Sequence, residues 1–429
     1  MHTAEPALRK PNDSYTPLFL FVFALLCRIV FYLVMKRIHP GLWDLEALHI
    51  NGWLGIAERL VAGEGYSTRE LLGYFPVSQL QPTASRGPVP VLVLAALLRL
   101  FKGSYVQPLL FYSWILSALT AAAIYVLARK WTLSPKAALA SGVIFCLYIP
   151  EMYISTAYAA ASESLFTFFL MIYVLRLQRS LETLRLRHAF VAGSVLGLAF
   201  LCRPVVLFFP LLFAAQMLAR HRLKAAALVF CFVTAFAAVL APWAIRNYAV
   251  FRAPVLTTTL GGYNLLRHNE MLRHNRFMIY TGEDFDPVAR AVVAKNGQDF
   301  ERLNEVQLDR LFKREAKEII REHPVRYLML STCRLFWLWY RINGEKPLLL
   351  FQNLLIYLFM FPGLIRVVRG RHPLGSPALL IFYFAGFHAL LNAQFRFVCP
   401  IMPYGIMIAV YEGQQLMARF RDTKTQQSF

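Results

Sequence analysis

At 429 residues, 58% of them hydrophobic and only 16% charged, with a mean hydropathy of +0.48, the chain is too apolar to clothe a fold of this length in a water-facing surface. Its net charge of +21 does not point to nucleic acid, because no basic patch interleaved with aromatics lies outside the apolar runs. No nucleic-acid partner is expected; the basic residues read as markers of cytoplasmic loops and of contact with anionic lipid headgroups. The short alternating strands of a membrane barrel are missing as well, which leaves an all-α class: a polytopic transmembrane helical bundle of about ten spans with two external loops carrying surface helices.

Hydropathy places spans near 17–36, 107–128, 137–155, 162–178, 189–202, 204–219, 225–245, 347–366, 374–393 and 397–417. The first apolar stretch is longer than the core of a signal peptide and has no small-residue cleavage site, so it reads as a retained helix. Basic residues gather on alternate connections, at Arg9 and Lys10, Arg129 to Lys136, Arg176 to Arg187, Arg220 to Lys224, Arg366 to Arg371 and Arg419 to Lys424. Both termini are therefore expected in the cytoplasm. The division that follows is an N-terminal transmembrane module over 1–245, a loop over 246–346, and C-terminal helices with a cytoplasmic tail over 347–429.

Two long connections fall on the external side. Loop A, about 37–106, contains the apolar stretch Pro88 to Phe101, which is too short to span and is broken by Pro88 and Pro90, so a helix lying on the membrane surface is expected. Loop B, about 246–346, contains Asp299 to Glu322, a charged stretch of helical period that reads as a solvated helix; after Pro324 the aromatic-rich stretch Tyr327 to Tyr340 suits the interface.

Charged groups at the membrane boundary carry the functional signal in so apolar a chain. Asp44 and Glu46 follow the first span directly, where a partly desolvated carboxylate can serve as a general base; alternatively they are acids at the start of a helix, favoured there by its dipole. Arg28 within the first span, Arg86 in loop A, Arg203 at a short turn, Arg246 at the end of the seventh span and Arg396 between the last two are candidates for a lipid phosphate, because the planar guanidinium matches phosphate in a bidentate way. Each one taken alone reads equally as a snorkelling anchor.

The stretches Ile56 to Tyr66 (IAERLVAGEGY), Pro82 to Pro90 (PTASRGPVP), Leu98 to Gly103 (LRLFKG), Gly193 to Pro204 (GSVLGLAFLCRP), Pro242 to Tyr248 (PWAIRNY), Gly261 to Leu265 (GGYNL), Glu322 to Pro324 (EHP) and Arg396 to Pro403 (RFVCPIMP) occur in an order that resembles the GT-C superfamily of membrane glycosyltransferases. The similar branch is family 39-like, containing protein O-mannosyltransferases and lipid A aminoarabinose transferases. The resemblance implies a sugar donor linked to polyprenyl phosphate, held at the external leaflet, with inverting transfer to an acceptor lipid, glycan or protein. It assigns the base to Asp44 or Glu46, donor phosphate binding to Arg396, Arg203, Arg246, Arg86 and Arg28, and leads us to expect acceptor or sugar contacts at Glu163, Tyr263 and Asn264. Phe397, Val398 and Cys399 stand where the family commonly has tyrosine, a polar residue and an aliphatic.

Such a transfer needs one base and enough cations for the leaving phosphate, so no metal and no cofactor is expected. The six cysteines lie mostly within apolar runs without ligand spacing and read as small core residues. The implied location is a bacterial inner membrane with the site facing the periplasm, among membrane lipids. A transporter or flippase for a lipid or amphiphile, or a GT-C-like scaffold without catalysis, is the competing reading.

Overall fold

The structure, a computed structural model, describes residues 15–38, 52–102, 105–131, 133–159, 162–274, 282–340, 347–370 and 375–427. Each expected span coincides with a helix or a helix pair. Among the described residues, six stretches are long and apolar enough to cross a membrane: α1 (Thr16–Ile38), α4 (Val106–Lys130), α7 (Glu163–Thr183), Pro204–His221, α10 (Ala226–Phe251) and Phe351–Arg369 within α15 (Pro347–Arg369). Pro204–His221 is a 3-10 turn running into α9 (Phe209–His221). The short helices α5 (Pro135–Cys146) and α6 (Ile149–Ala157) meet at a 47° bend and make a seventh if taken together. Two more apolar helices are shorter, α8 (Leu186–Cys202) and α16 (Gly375–Leu390), and α17 (Met402–Gln427) closes the chain with a polar C-terminal half.

A bend inside a span frees backbone groups that lipid cannot satisfy, so protein must supply their partners. Arg28 donates to the Cys146 carbonyl at 2.9 Å, and Gln352 of α15 both donates to the Leu147 carbonyl at 2.8 Å and accepts from the Ile149 amide at 2.9 Å. Tyr148 donates to Asn353 at 2.7 Å. Arg28 is fully buried, and its Nε and Nη2 also face Ser117 at 3.2 and 2.9 Å. The expectation that Arg28 holds a phosphate is corrected by this geometry: its guanidinium is spent on the break in the α5–α6 pair.

Lipid-facing helices gain no hydrophobic drive from touching each other, so close backbone approach must hold them. In the GSVLG stretch of α8, a Cβ on Gly193 would lie 2.2 Å from the Phe232 carbonyl oxygen and one on Gly197 would lie 2.8 Å from Val239. Those glycines form the seam between α8 and α10.

Outside the bundle, loop A folds as α2 (Trp53–Val61), an antiparallel hairpin of β1 (Ser67–Leu71) and β2 (Phe75–Pro82), and α3 (Pro88–Phe101), in which the two prolines do not break the stretch but stand in the helix's first turn, where a missing amide costs nothing. The hairpin is a small addition to an all-α reading. Loop B supplies α11 (Gly261–Arg267), α12 (Gly282–Lys295), α13 (Glu305–Glu322) and α14 (Pro324–Tyr340). α13 begins with a capping box in which Asn304 accepts from the Val306 and Gln307 amides and Gln307 reaches back to the Asn304 amide. It is not solvated on all sides. Leu308, Phe312, Ala316 and Ile319 are fully buried against Tyr263, Leu266 and Phe285 of loop B and Leu71, Leu72 and Phe75 of the hairpin. In water each such large apolar side chain contributes about 1.5–3 kcal/mol, so the two loops share one small core above the bundle.

Candidate active site

A cavity of ≈ 180 Å³ lies where loops A and B meet the helix ends, and four arginines line it: Arg86, Arg203, Arg267 and Arg396. Close packing brings the first two together. A Cβ on Gly87 would fall 2.0 Å from the Leu201 carbonyl oxygen, so only glycine lets the loop A strand lie against the end of α8 and place Arg86 beside Arg203. Arg86 is nine-tenths buried, with its guanidinium 4.9 Å over the Trp53 ring and 5.4 Å from the Tyr74 ring centre.

Glu163, the first residue of α7 and 1% exposed, stands between Arg203 and Arg396. Its Oε1 lies 2.7 Å from Arg203 and 3.7 Å from Arg396. Both guanidiniums also sit against the Phe397 ring, at 5.1 and 5.4 Å, while Gln394 accepts from the Arg396 Nε at 3.0 Å. Phe397 thus has a use in this chain: its ring packs against both cations. Val398 and Cys399 are buried beside it.

The reach of these charges is registered at Tyr74, at the hairpin tip. Burial pushes its phenol up, yet Arg86, Arg267 and Arg396 together outweigh burial and hold it below the ordinary value. The Tyr74 ring stacks on Tyr263 at 4.6 Å and 11°. Tyr263 itself is fully buried beneath it, in the loop core, whereas its neighbour Asn264 lines the cavity.

Among the sequence candidates, Arg86, Glu163, Arg203, Asn264 and Arg396 therefore meet at one cavity. Tyr263 supports its wall. Arg246 does not line it: the guanidinium donates to the Thr83 and Tyr66 carbonyls at 2.7 and 2.8 Å and to Asn247 at 2.9 Å, so its expected place on a phosphate is corrected to a structural one. Asp44 and Glu46 lie outside the described residues. The described chain resumes at Gly52 and Trp53, and Trp53 lines the cavity. Trp53, Tyr74, Arg267, Asn392 and Gln394 are lining residues that sequence reasoning missed.

Besides Arg203 Nη1, which meets Glu163 as an ion pair, three buried polar atoms on lining residues have no hydrogen-bond partner among the described residues: Trp53 Nε1, Glu163 Oε2 and Asn392 Oδ1. One is a donor and two are acceptors. A ligand carrying several hydroxyls, each both donor and acceptor, would satisfy such a set.

The fold has known counterparts. The archaeal oligosaccharyltransferase AglB from Archaeoglobus fulgidus, in complex with an inhibitory peptide and a dolichol-phosphate, superposes with a TM-score of 0.52 and 14% identity over 98% of this chain and 52% of that one. The apo crystal structure of the Archaeoglobus fulgidus oligosaccharyltransferase gives 0.55 and 16%, over 97% of this chain and 53% of that one. The chain shares the fold of these structures. It spans about half of their length. Residues 85–245 match the family described as dolichyl-phosphate-mannose-protein mannosyltransferase, a stretch that holds Arg86, Glu163 and Arg203. A search of curated protein sequences finds no significant match. Fold, family match and apolar helices together make this chain a multi-pass integral membrane protein.

Proposed function

We propose that the chain is a glycosyltransferase that takes a sugar from a polyprenyl-phosphate-linked donor and passes it, with inversion, to an acceptor lipid, glycan or protein on the external face of the membrane. The observation that carries this reading is the convergence of Arg86, Arg203, Arg267 and Arg396 on one cavity at the ends of the helices, where a lipid-borne phosphate can arrive from the bilayer. The unpartnered atoms of Trp53, Glu163 and Asn392 in the same wall suit a sugar.

In this reading Arg396 and Arg203 fork the donor phosphate, with Arg86 completing the positive wall, and stabilise the charge that grows on the phosphate as the anomeric bond breaks. Glu163 keeps the two guanidiniums side by side against their mutual repulsion. A carboxylate is still needed to take the acceptor's proton, and Asp44 or Glu46, in the segment that leads into Trp53, is assigned that task. The similar AglB structure was obtained with a dolichol-phosphate and an inhibitory peptide, and a lipid phosphate bound to that fold supports the reading.

The bent α5–α6 pair is a feature that a transporter would also use, so one experiment should separate the two readings. Mass spectrometry of lipid and protein glycans from cells with and without the gene is expected to show the loss of one sugar modification. Loss of the modification with the polyprenyl-phosphate sugar confined to the inner leaflet of the deletion strain would establish the flippase reading, whereas loss of a transferase leaves the donor on the outer leaflet.

A further inference from the structure

Thr83 is held from two sides by opposite charges. Arg246, from the end of α10, donates to its carbonyl at 2.7 Å, and its hydroxyl donates to Glu305 Oε1 at 2.6 Å. Glu305 is the first residue of α13 and is 1% exposed; burial pushes its carboxyl above the ordinary value, against the pull of the hydrogen-bond donors gathered on it. Its second oxygen accepts from the Ala84 amide and the Thr259 hydroxyl, both at 2.9 Å, and Oε1 also receives the Leu72 amide at 3.4 Å. One carboxylate thus ties loop B to two separate points of loop A.

Those two points adjoin the cavity. Ala84 lies two residues before Arg86, and the Ser85 amide between them donates back to Thr83 Oγ1 at 3.0 Å. Leu72 lies two residues before Tyr74, in a backbone conformation with φ 55° that a branched side chain adopts only when its surroundings enforce it. Gly73, between them, leaves room for only 2.9 Å from an added Cβ to Arg86 Nη2. The hairpin tip and the Arg86 strand are therefore fitted to each other, with Glu305 behind both.

We infer that Glu305 is a positioning residue of the anion site: by gripping Thr83, Ala84 and Leu72 it fixes Arg86 and Tyr74 at the cavity, so that loop B governs phosphate binding through a residue that never touches the ligand. This rests on the reading that the cavity binds a lipid-borne phosphate. A carboxylate is required because all four partners are donors. Glutamine offers one oxygen and turns an NH2 group toward an amide or hydroxyl hydrogen, which unseats at least one of the two segments.

The test uses the full chain in detergent, with farnesyl phosphate as probe and farnesol as its uncharged control, by isothermal titration calorimetry. Glu305→Gln is expected to weaken farnesyl phosphate about tenfold or more while farnesol binds as to the wild type, and Glu305→Asp to recover part of the loss. A second readout follows Arg86 directly. In protein labelled with 5-fluorotryptophan, the Trp53 resonance, identified with Trp53→Phe, should move in Glu305→Gln while the other tryptophans stay, because the Arg86 guanidinium lies over that ring. If Glu305→Gln does not fold, Thr83→Val removes one donor, leaves the carboxylate, and is expected to weaken farnesyl phosphate in the same sense. Wild-type affinity in Glu305→Gln, or in Thr83→Val where that is the folded variant, together with loss in Arg396→Gln, overturns the inference and leaves the phosphate site standing. Wild-type affinity in Arg396→Gln as well overturns both.

Discussion

Arg203 and Glu163 meet at 2.7 Å across the joint between α8 and α7, with the carboxylate buried and the guanidinium open to the cavity. Arg396 shares the same oxygen from 3.7 Å. Two like charges this close would repel, and the carboxylate between them is what lets both face one ligand. Replacing it by Glu163→Gln leaves buried polar groups without their ionic partner, which is expected to cost about 1–3 kcal/mol of stability. Binding of farnesyl phosphate should survive, since the change adds net positive charge, while sugar transfer falls because the two arginines no longer hold a fixed geometry. Thermal unfolding and calorimetry on the same preparation check the two halves; a variant as stable as the wild type would remove Glu163 from this role.

Arg396 and Arg28 make a matched pair of tests, because sequence alone gives both the same assignment. Arg396 lines the cavity, so Arg396→Lys, which keeps the charge and loses the fork, is expected to weaken farnesyl phosphate by about 10-fold or more, and Arg396→Ala further. Arg28 is buried at the α5–α6 break, so Arg28→Met should cost roughly 3–5 kcal/mol of stability and leave the affinity of the folded fraction unchanged. A stable Arg28→Met that has lost the ligand would reverse the correction made above.

The two arginines show what was legible in the sequence. The apolar helices were, because twenty apolar residues in a row have few other uses, and so was the short helix at Pro88 to Phe101. Arg86, Arg203 and Arg396 were legible as isolated cations at the ends of apolar runs, yet Arg246 carries the same signature and spends itself on two backbone carbonyls. Nothing local separates these cases, since the difference lies in where Tyr66 and Thr83 are brought by the hairpin. Glu305 was hidden for a related reason: in a helix so rich in charge, one carboxylate turned inward looks like its solvated neighbours. Arg267 had a usable signal, standing three residues after Asn264 and so on the same face of α11, whose sequence had already been noted.

The charge asymmetry predicts that loop B is external, and loop B offers a clean probe of that orientation. Val288 is packed partly against the loop core, whereas Ala294 on the same helix is exposed. In a background with the six native cysteines replaced, Ala294→Cys is expected to react with a membrane-impermeant thiol reagent in intact spheroplasts. Labelling that appears only after permeabilisation would place loop B in the cytoplasm and the cavity with it.

The acceptor's proton is the last requirement, and it bears on Asp44 and Glu46. Among the described residues lining the cavity the one carboxylate is Glu163, and an acid held between two guanidiniums is a poor base, because both cations stabilise its charged form. In the proposed mechanism the base then comes from elsewhere, and the segment between α1 and Trp53 carries Asp44 and Glu46. Asp44 comes first after α1 and follows Trp43, so it is assigned the task, with Glu46 as its competitor. General-base catalysis contributes about 10²–10⁴-fold, so Asp44→Asn should cost transfer a factor of that order and leave farnesyl phosphate affinity nearly intact, and Glu46→Gln should cost much less. An inactive Glu46→Gln beside an active Asp44→Asn would exchange the two roles. Activity in both variants would mean that neither acid removes the proton, and with no base left the transfer mechanism proposed here would fall.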